Sequence, residues 1–88
     1  MQATFDSVKS MVLSILKTDF DLLIPESEHR KHLFSGSVAM DDISLLYLVH
    51  IIEKHYGFRF SEEDFLDKAF FSIDGFVDAV CRNIRNAQ

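Results

Sequence analysis

The chain has 88 residues, 48% of them hydrophobic and nine of them Phe, with a formal net charge of -5. That is apolar material for one small core in a single domain spanning 1-88, of marginal stability because its surface is large for its volume. The acidic balance argues against nucleic acid, whose phosphates demand basic patches, and leaves basic protein partners open. A single cysteine, Cys81, gives no disulfide framework and points to a reducing compartment. Met1-Gln2-Ala3-Thr4 lacks the basic stretch of a secretory signal. No apolar run reaches the ~20 residues of a membrane span. A soluble, cytoplasmic protein, monomeric when alone, is the expectation.

The first periodic segment runs from about Thr4 to Thr18. Phe5, Val8, Val12 and Ile15 follow helical spacing, Met11 and Leu16 widen the stripe, and Thr4 or Asp6 can cap its start. From Asp19 to Met40 the periodicity lapses. This stretch holds the only proline, Pro25, and the turn cluster Ser35-Gly36-Ser37. Its apolar residues Leu22, Leu23, Ile24, Leu33, Phe34 and Val38 are expected to pack on the core. A connection this long has a role or contains a hidden turn of helix.

A second helix is expected over 42-55. Leu45, Leu48, Val49, Ile52 and Tyr56 share one face, and Ile43, Tyr47, His50 and Lys54 share the opposite one. Gly57 can supply the left-handed conformation that stops it. Ser61-Glu62-Glu63-Asp64 reads as the cap and acidic first turn of a short third helix ending near Ala69. Ser72 can cap a last helix whose stripe is Ile73, Phe76, Val77, Val80, Cys81 and Ile84. Arg82 and Arg85 sit near its end, where cations suit the helix dipole. The fold class is therefore all-α: four helices with a long first loop and a short third helix. Leu48, Val49, Ile52, Phe76 and Val80 are expected to be buried together between the second and last helices.

The stretch from Met40 to Phe60, with Asp41-Asp42-Ile43 at the mouth of the second helix, resembles the second helix of acyl and peptidyl carrier proteins. In that family Asp-Ser-Leu or Asp-Ser-Ile opens the helix, and the serine hydroxyl carries a phosphopantetheine arm. An aromatic residue commonly follows fourteen positions later, as Tyr56 follows Asp42 here. Gly57-Phe58-Arg59-Phe60 looks like the family's Gly-Val-Arg-Ile, and Ser61-Glu62-Glu63 like its Pro-Asp-Glu. The resemblance implies an acyl-carrier-like four-helix bundle over nearly the whole chain. It also puts Asp42 at the attachment position. A carboxylate has no hydroxyl for that phosphodiester, so the resemblance implies a carrier-like protein without the cofactor. The alternative is a working carrier for fatty-acid, polyketide or nonribosomal peptide synthesis. It would hold 4'-phosphopantetheine on Ser44, or on a serine that Asp42 has replaced. A slip to Ser44 turns the helix by about 200° and carries the apolar stripe off the core, which favours the unslipped register.

Asp41 and Asp42 also have a plain reading as acids that cap a helix start and match its dipole. In carrier proteins the outward face of the second helix docks on partner enzymes and is often acidic. Here it holds Ile43, Tyr47, His50 and Lys54, with Leu46 at its flank. Such a face suits a contact site, and the resemblance implies biosynthetic enzymes such as synthases, transferases or peptide-maturation factors as its partners. Leu46 and Tyr47 have a second reading, packing under the long first loop. That reading is preferred for Leu46, and both stand for Tyr47. His29 and His32, three apart, have no matching acid or cysteine cluster and read as solvated or partner-facing rather than as zinc ligands. Cys81 reads as a small core hydrophobe. No constellation of side chains suggests an enzyme.

Overall fold

The computed structural model describes residues 4–30 and 41–86. Within them the chain is all-helical, with no strand. The first helix, α1 (Phe5–Phe20), is opened by Thr4, whose hydroxyl accepts from the Ser7 N–H while the Ser7 hydroxyl accepts from the Thr4 N–H, a reciprocal capping box. It runs two residues beyond the expected end and stops at Asp21, which takes the left-handed conformation at φ 52°. Asp is among the few residue types that tolerate this region. The Leu22 N–H then closes the end on the Leu16 carbonyl at 2.9 Å.

The connection after α1 contains the hidden turn: a 3₁₀ segment at Glu26–Glu28, entered through Pro25. It is tied to the body of the protein. The Asp74 N–H donates to the His29 carbonyl at 3.0 Å, and the Asp74 carboxylate pairs with Lys9 at 2.7 Å. Ile24 is buried and Leu22 half-buried, as expected, whereas Leu23 is 76% exposed. The correction has a simple cause: adjacent residues of an extended stretch point to opposite sides, so one of the Leu23–Ile24 pair must leave the core. His29 is also corrected. It is 5% exposed, with its Nε2 donating to the Ile24 carbonyl at 2.9 Å. The readings made of His32, Leu33, Phe34, the Ser35-Gly36-Ser37 cluster, Val38 and Met40 lie outside the described residues.

The second helix, α2 (Asp42–Tyr56), has Asp41 as its N-cap and Gly57, at φ 70°, as its stop. Leu45, Leu48, Val49 and Ile52 are buried and Tyr56 half-buried, the face that the periodicity marked. Next comes α3 (Glu62–Leu66). It ends three residues before the expected Ala69 because the chain tightens into a 3₁₀ turn, Lys68–Phe71, capped by Asp67. The last helix, α4 (Ile73–Asn86), begins at Ser72, whose Oγ accepts from the Gly75 N–H and donates to the Ala69 carbonyl. Ile73, Phe76, Val77, Ala79 and Val80 are buried, while Cys81 and Ile84 are half-buried at the edge of the stripe.

One buried cluster unites these faces with Val8, Val12, Ile15 and Leu16 of α1. The five residues expected between α2 and α4 all belong to it. α1 packs against both α4 and α2, so it shares the centre that the sequence reading set between α2 and α4. At one end Phe60 meets Phe58, Phe65, Phe70 and Phe76 at ring-centroid distances of 4.9, 6.0, 5.2 and 5.5 Å, three of them edge-on. Such pairs add about 0.5–1.5 kcal/mol each beyond burial. Asp64 fastens the same end. Its carboxylate accepts from the Ser61 N–H at 2.9 Å and the Asn83 amide at 2.9 Å, with Arg82 at 3.7 Å. Burial pushes its acidity down, but these partners outweigh it and hold the carboxyl below its ordinary value.

Candidate functional site

The candidate site is built on the first turn and outward face of α2. Asp41 anchors it. Its Oδ1 accepts from the Ser44 N–H at 2.7 Å. The Ser44 side chain foremost, and then its backbone N–H, hold the fully exposed Asp41 carboxyl below its usual range. Asp42 is the first residue of the helix, exposed, its Oδ1 accepting from the Ile43 N–H at 3.0 Å. Both acids therefore satisfy free N–H groups at the positive end of the helix. Capping accounts for Asp41 fully. Asp42 could be replaced without losing the cap.

Ser44 stands two residues further round and is half-buried, with its N–H on the Asp41 carboxylate. A phosphopantetheine arm needs a free hydroxyl at an open position. Asp42 is open but has no hydroxyl, and Ser44 is half-buried.

Beyond the first turn, Ile43, Leu46, Tyr47, His50 and Lys54 are all exposed and lie within about 100° of helix surface. Ile43 is 76%, Leu46 63% and Tyr47 59% exposed. The preferred reading of Leu46, packing under the loop, is thus corrected. It sits one residue outside the buried Leu45, and that single step of the helix turns it to solvent. Tyr47 is intermediate between its two readings. One edge rests on Phe20 of α1, with ring centroids 5.8 Å apart, and the rest of the ring is open.

At the far end of the stripe His50, Glu53, Lys54, Phe58 and Arg59 enclose a shallow depression of about 210 Å³. Glu53 is occupied there, its Oε2 accepting from the Phe60 N–H at 2.9 Å. The face therefore runs from the apolar Ile43, Leu46 and Tyr47 to His50, Lys54 and Arg59, with Asp42 at its flank. Sequence periodicity missed Arg59 and Phe20 as members of this surface. Arg59 lies past the Gly57 turn and Phe20 on another helix, so only tertiary folding brings them in.

A second concavity of about 680 Å³ is lined by Phe5, Lys9, Glu26, Ser27, His29, Arg30 and Asp74. Its charges largely answer one another, with Lys9 and Arg30 at 2.7 and 3.8 Å from the Asp74 carboxylate. Among the described residues no group of three or more His, Cys, Asp or Glu is placed to hold a metal ion, and no described helix is long and apolar enough to cross a membrane. Burial, the main influence on Cys81, pushes its thiol up. This disfavours the nucleophilic thiolate. No family model, curated protein or solved structure matches the chain.

Proposed function

We propose that this chain is an acyl- or peptidyl-carrier-like protein that acts by docking rather than by carrying an arm. Its helix order supports that reading: a long helix, a long connection, α2, a short α3 and α4. The observation that carries it is Asp42 itself. It is exposed as the first residue of α2, where the resemblance puts the arm-bearing serine, and it leads directly into an exposed apolar stripe. The partners are enzymes or maturation factors of a biosynthetic pathway, meeting Asp41, Ile43, Leu46, Tyr47, His50 and Lys54. Tyr47 offers the largest rigid apolar area, the kind of side chain that often anchors an interface.

The test is intact mass after incubation with coenzyme A and a broad-specificity phosphopantetheinyl transferase. No gain is expected for the parent. A gain mapped to Ser44 by peptide mass spectrometry would mean a working carrier instead. Asp42→Ser supplies the missing hydroxyl at the open position, and loading of that variant at residue 42 would support the carrier ancestry of the surface.

A further inference from the structure

We propose that the outward face of α2 docks an acidic amphipathic helix of a partner protein, one with apolar side chains in helical register and Asp or Glu grouped at one end. This deepens the docking reading of α2 and rests on it, but needs nothing of the carrier ancestry. The row of side chains sets the first half of the match. Ile43, Leu46 and Tyr47 are 76%, 63% and 59% exposed and stand at i, i+3 and i+4, one patch of helix surface. His50 and Lys54 are exposed and continue the same row toward the C-terminal end. From Ile43 to Lys54 the row is about 16 Å long, the length of roughly three turns of a second helix. A helix laid along it meets the patch with apolar residues at the same spacing.

Charge sets the second half. Lys54 and Arg59 share the depression of about 210 Å³ with a single carboxylate, that of Glu53, which already accepts from the Phe60 N–H at 2.9 Å. Lys9 and Arg30 are matched to Asp74, and Arg82 to Asp64 and Asp78. Among the described residues Lys54 and Arg59 have no such match. Asp42 stands about 100° round the helix from Ile43, so it brings no carboxylate into the row. The positive end is therefore open to a partner's acids. Their contact fixes where the segment sits along the row, and like charge rejects a basic segment.

The same observations disfavour other occupants. A phosphate-rich surface of lipid or nucleic acid extends past the patch and meets the net charge of -5, whereas a short segment meets the local charge alone. A second copy has no carboxylate in the row to offer Lys54 and Arg59. The carrier proteins that the chain resembles often have an acidic face here, so the partner chemistry inferred is the reverse of theirs.

Selection from a phage-displayed library of randomised helical peptides against the folded full chain tests the proposal. The enriched peptides should carry large apolar residues at i, i+3 or i+4 spacing and acids grouped at one end. A synthetic copy of the strongest binder, followed by fluorescence polarisation, should lose roughly tenfold or more in affinity to the double variant Leu46→Glu, Tyr47→Ala. Lys54→Glu with Arg59→Glu should cost a similar factor. Replacing the peptide's acids by Lys should restore its binding to that charge-reversed variant, which also shows the variant to be folded. Peptides that bind through Leu46 and Tyr47 without acids, or that bind the charge-reversed variant as well as the parent, overturn the inference and leave the docking face standing. No enrichment, or binding that survives the Leu46→Glu, Tyr47→Ala variant, removes the docking face as well. Sedimentation of the parent as a dimer that this variant abolishes would assign the face to a second copy. Flotation with vesicles of phosphatidylcholine and phosphatidylserine, lost on charge reversal, would assign it to a lipid surface. Either result overturns the proposal.

Discussion

The two ends of this molecule use aromatic side chains in opposite ways. Around α3, the Lys68–Phe71 turn and α4, the rings of Phe58, Phe60, Phe70 and Phe76 are turned inward and touch edge to face. On the outer side of α2, Tyr47 touches one ring, that of Phe20, and leaves the rest of its surface open beside Ile43 and Leu46. The first region is closed by hydrogen bonds as well. Asp64 gathers donors from Ser61 and Asn83, and Ser72 bridges the Ala69 carbonyl to the Gly75 N–H. In the second, the side-chain bonds of the first turn are the short-range ones of Asp41 to the Ser44 N–H and Asp42 to the Ile43 N–H. Stability is invested in the aromatic end, and apolar surface is left for contact on α2.

The largest effects should come from the closed region. Phe76→Ala removes a fully buried ring from the aromatic cluster and should cost about 3–5 kcal/mol, while Ile52→Ala, on the inner face of α2, should cost about 2–5 kcal/mol. Either loss takes a large share of a small domain's stability and is read by denaturant titration. A loss below half a kcal/mol at Ile52 would mean that the two faces of α2 have been exchanged.

Gly75→Ala probes the same region through the backbone. An added Cβ would overlap the Ala69 carbonyl, main-chain atoms that no rotamer change can move aside. The expected cost is on the order of 3 kcal/mol, since over-packing must shift α4 against the preceding turn. Gly57 offers the contrast. Nothing lies near its Cβ position, so Gly57→Ala is opposed by its positive φ alone and should cost about 1–2 kcal/mol.

Asp64→Asn should cost about 1.5–3 kcal/mol at neutral pH, the worth of hydrogen bonds to a charged acceptor. Because its carboxyl is held below the ordinary value, Asp64 stabilises the fold fully above the unfolded-state pKa. That contribution fades as pH falls through the lower folded value. The parent should therefore lose stability on acidification, and the variant should lose less over the same interval. Parallel melting curves from pH 7 to about pH 2 check both points. Identical acid limbs would remove Asp64 from the account.

The smallest effects on folding should fall on the open face. Leu46→Ala should change stability by no more than about 0.5 kcal/mol, and Tyr47→Ala by about 1 kcal/mol through its Phe20 edge contact. The same Tyr47→Ala should weaken capture of a partner from the native host at least tenfold. Undiminished capture, together with loss of binding on changing residues 29–34, would move the recognition surface off α2.

Sequence alone determined where the α-helices begin and which face of α1, α2 and α4 is buried. Helical spacing marks the stripes of those three directly, Thr4, Asp41, Ser61 and Ser72 mark the starts of the four helices and Gly57 the stop of α2, because caps and periodicity act within a few residues. The register argument placed Asp42 at the helix start by the same local logic. Tertiary structure decided what depends on neighbours distant in the chain. It tied the His29 carbonyl to the Asp74 N–H, set Phe20 against Tyr47, and joined Asp64 to Asn83 across nineteen residues. Each of these contacts is chosen by packing between elements, and no period along the chain encodes it.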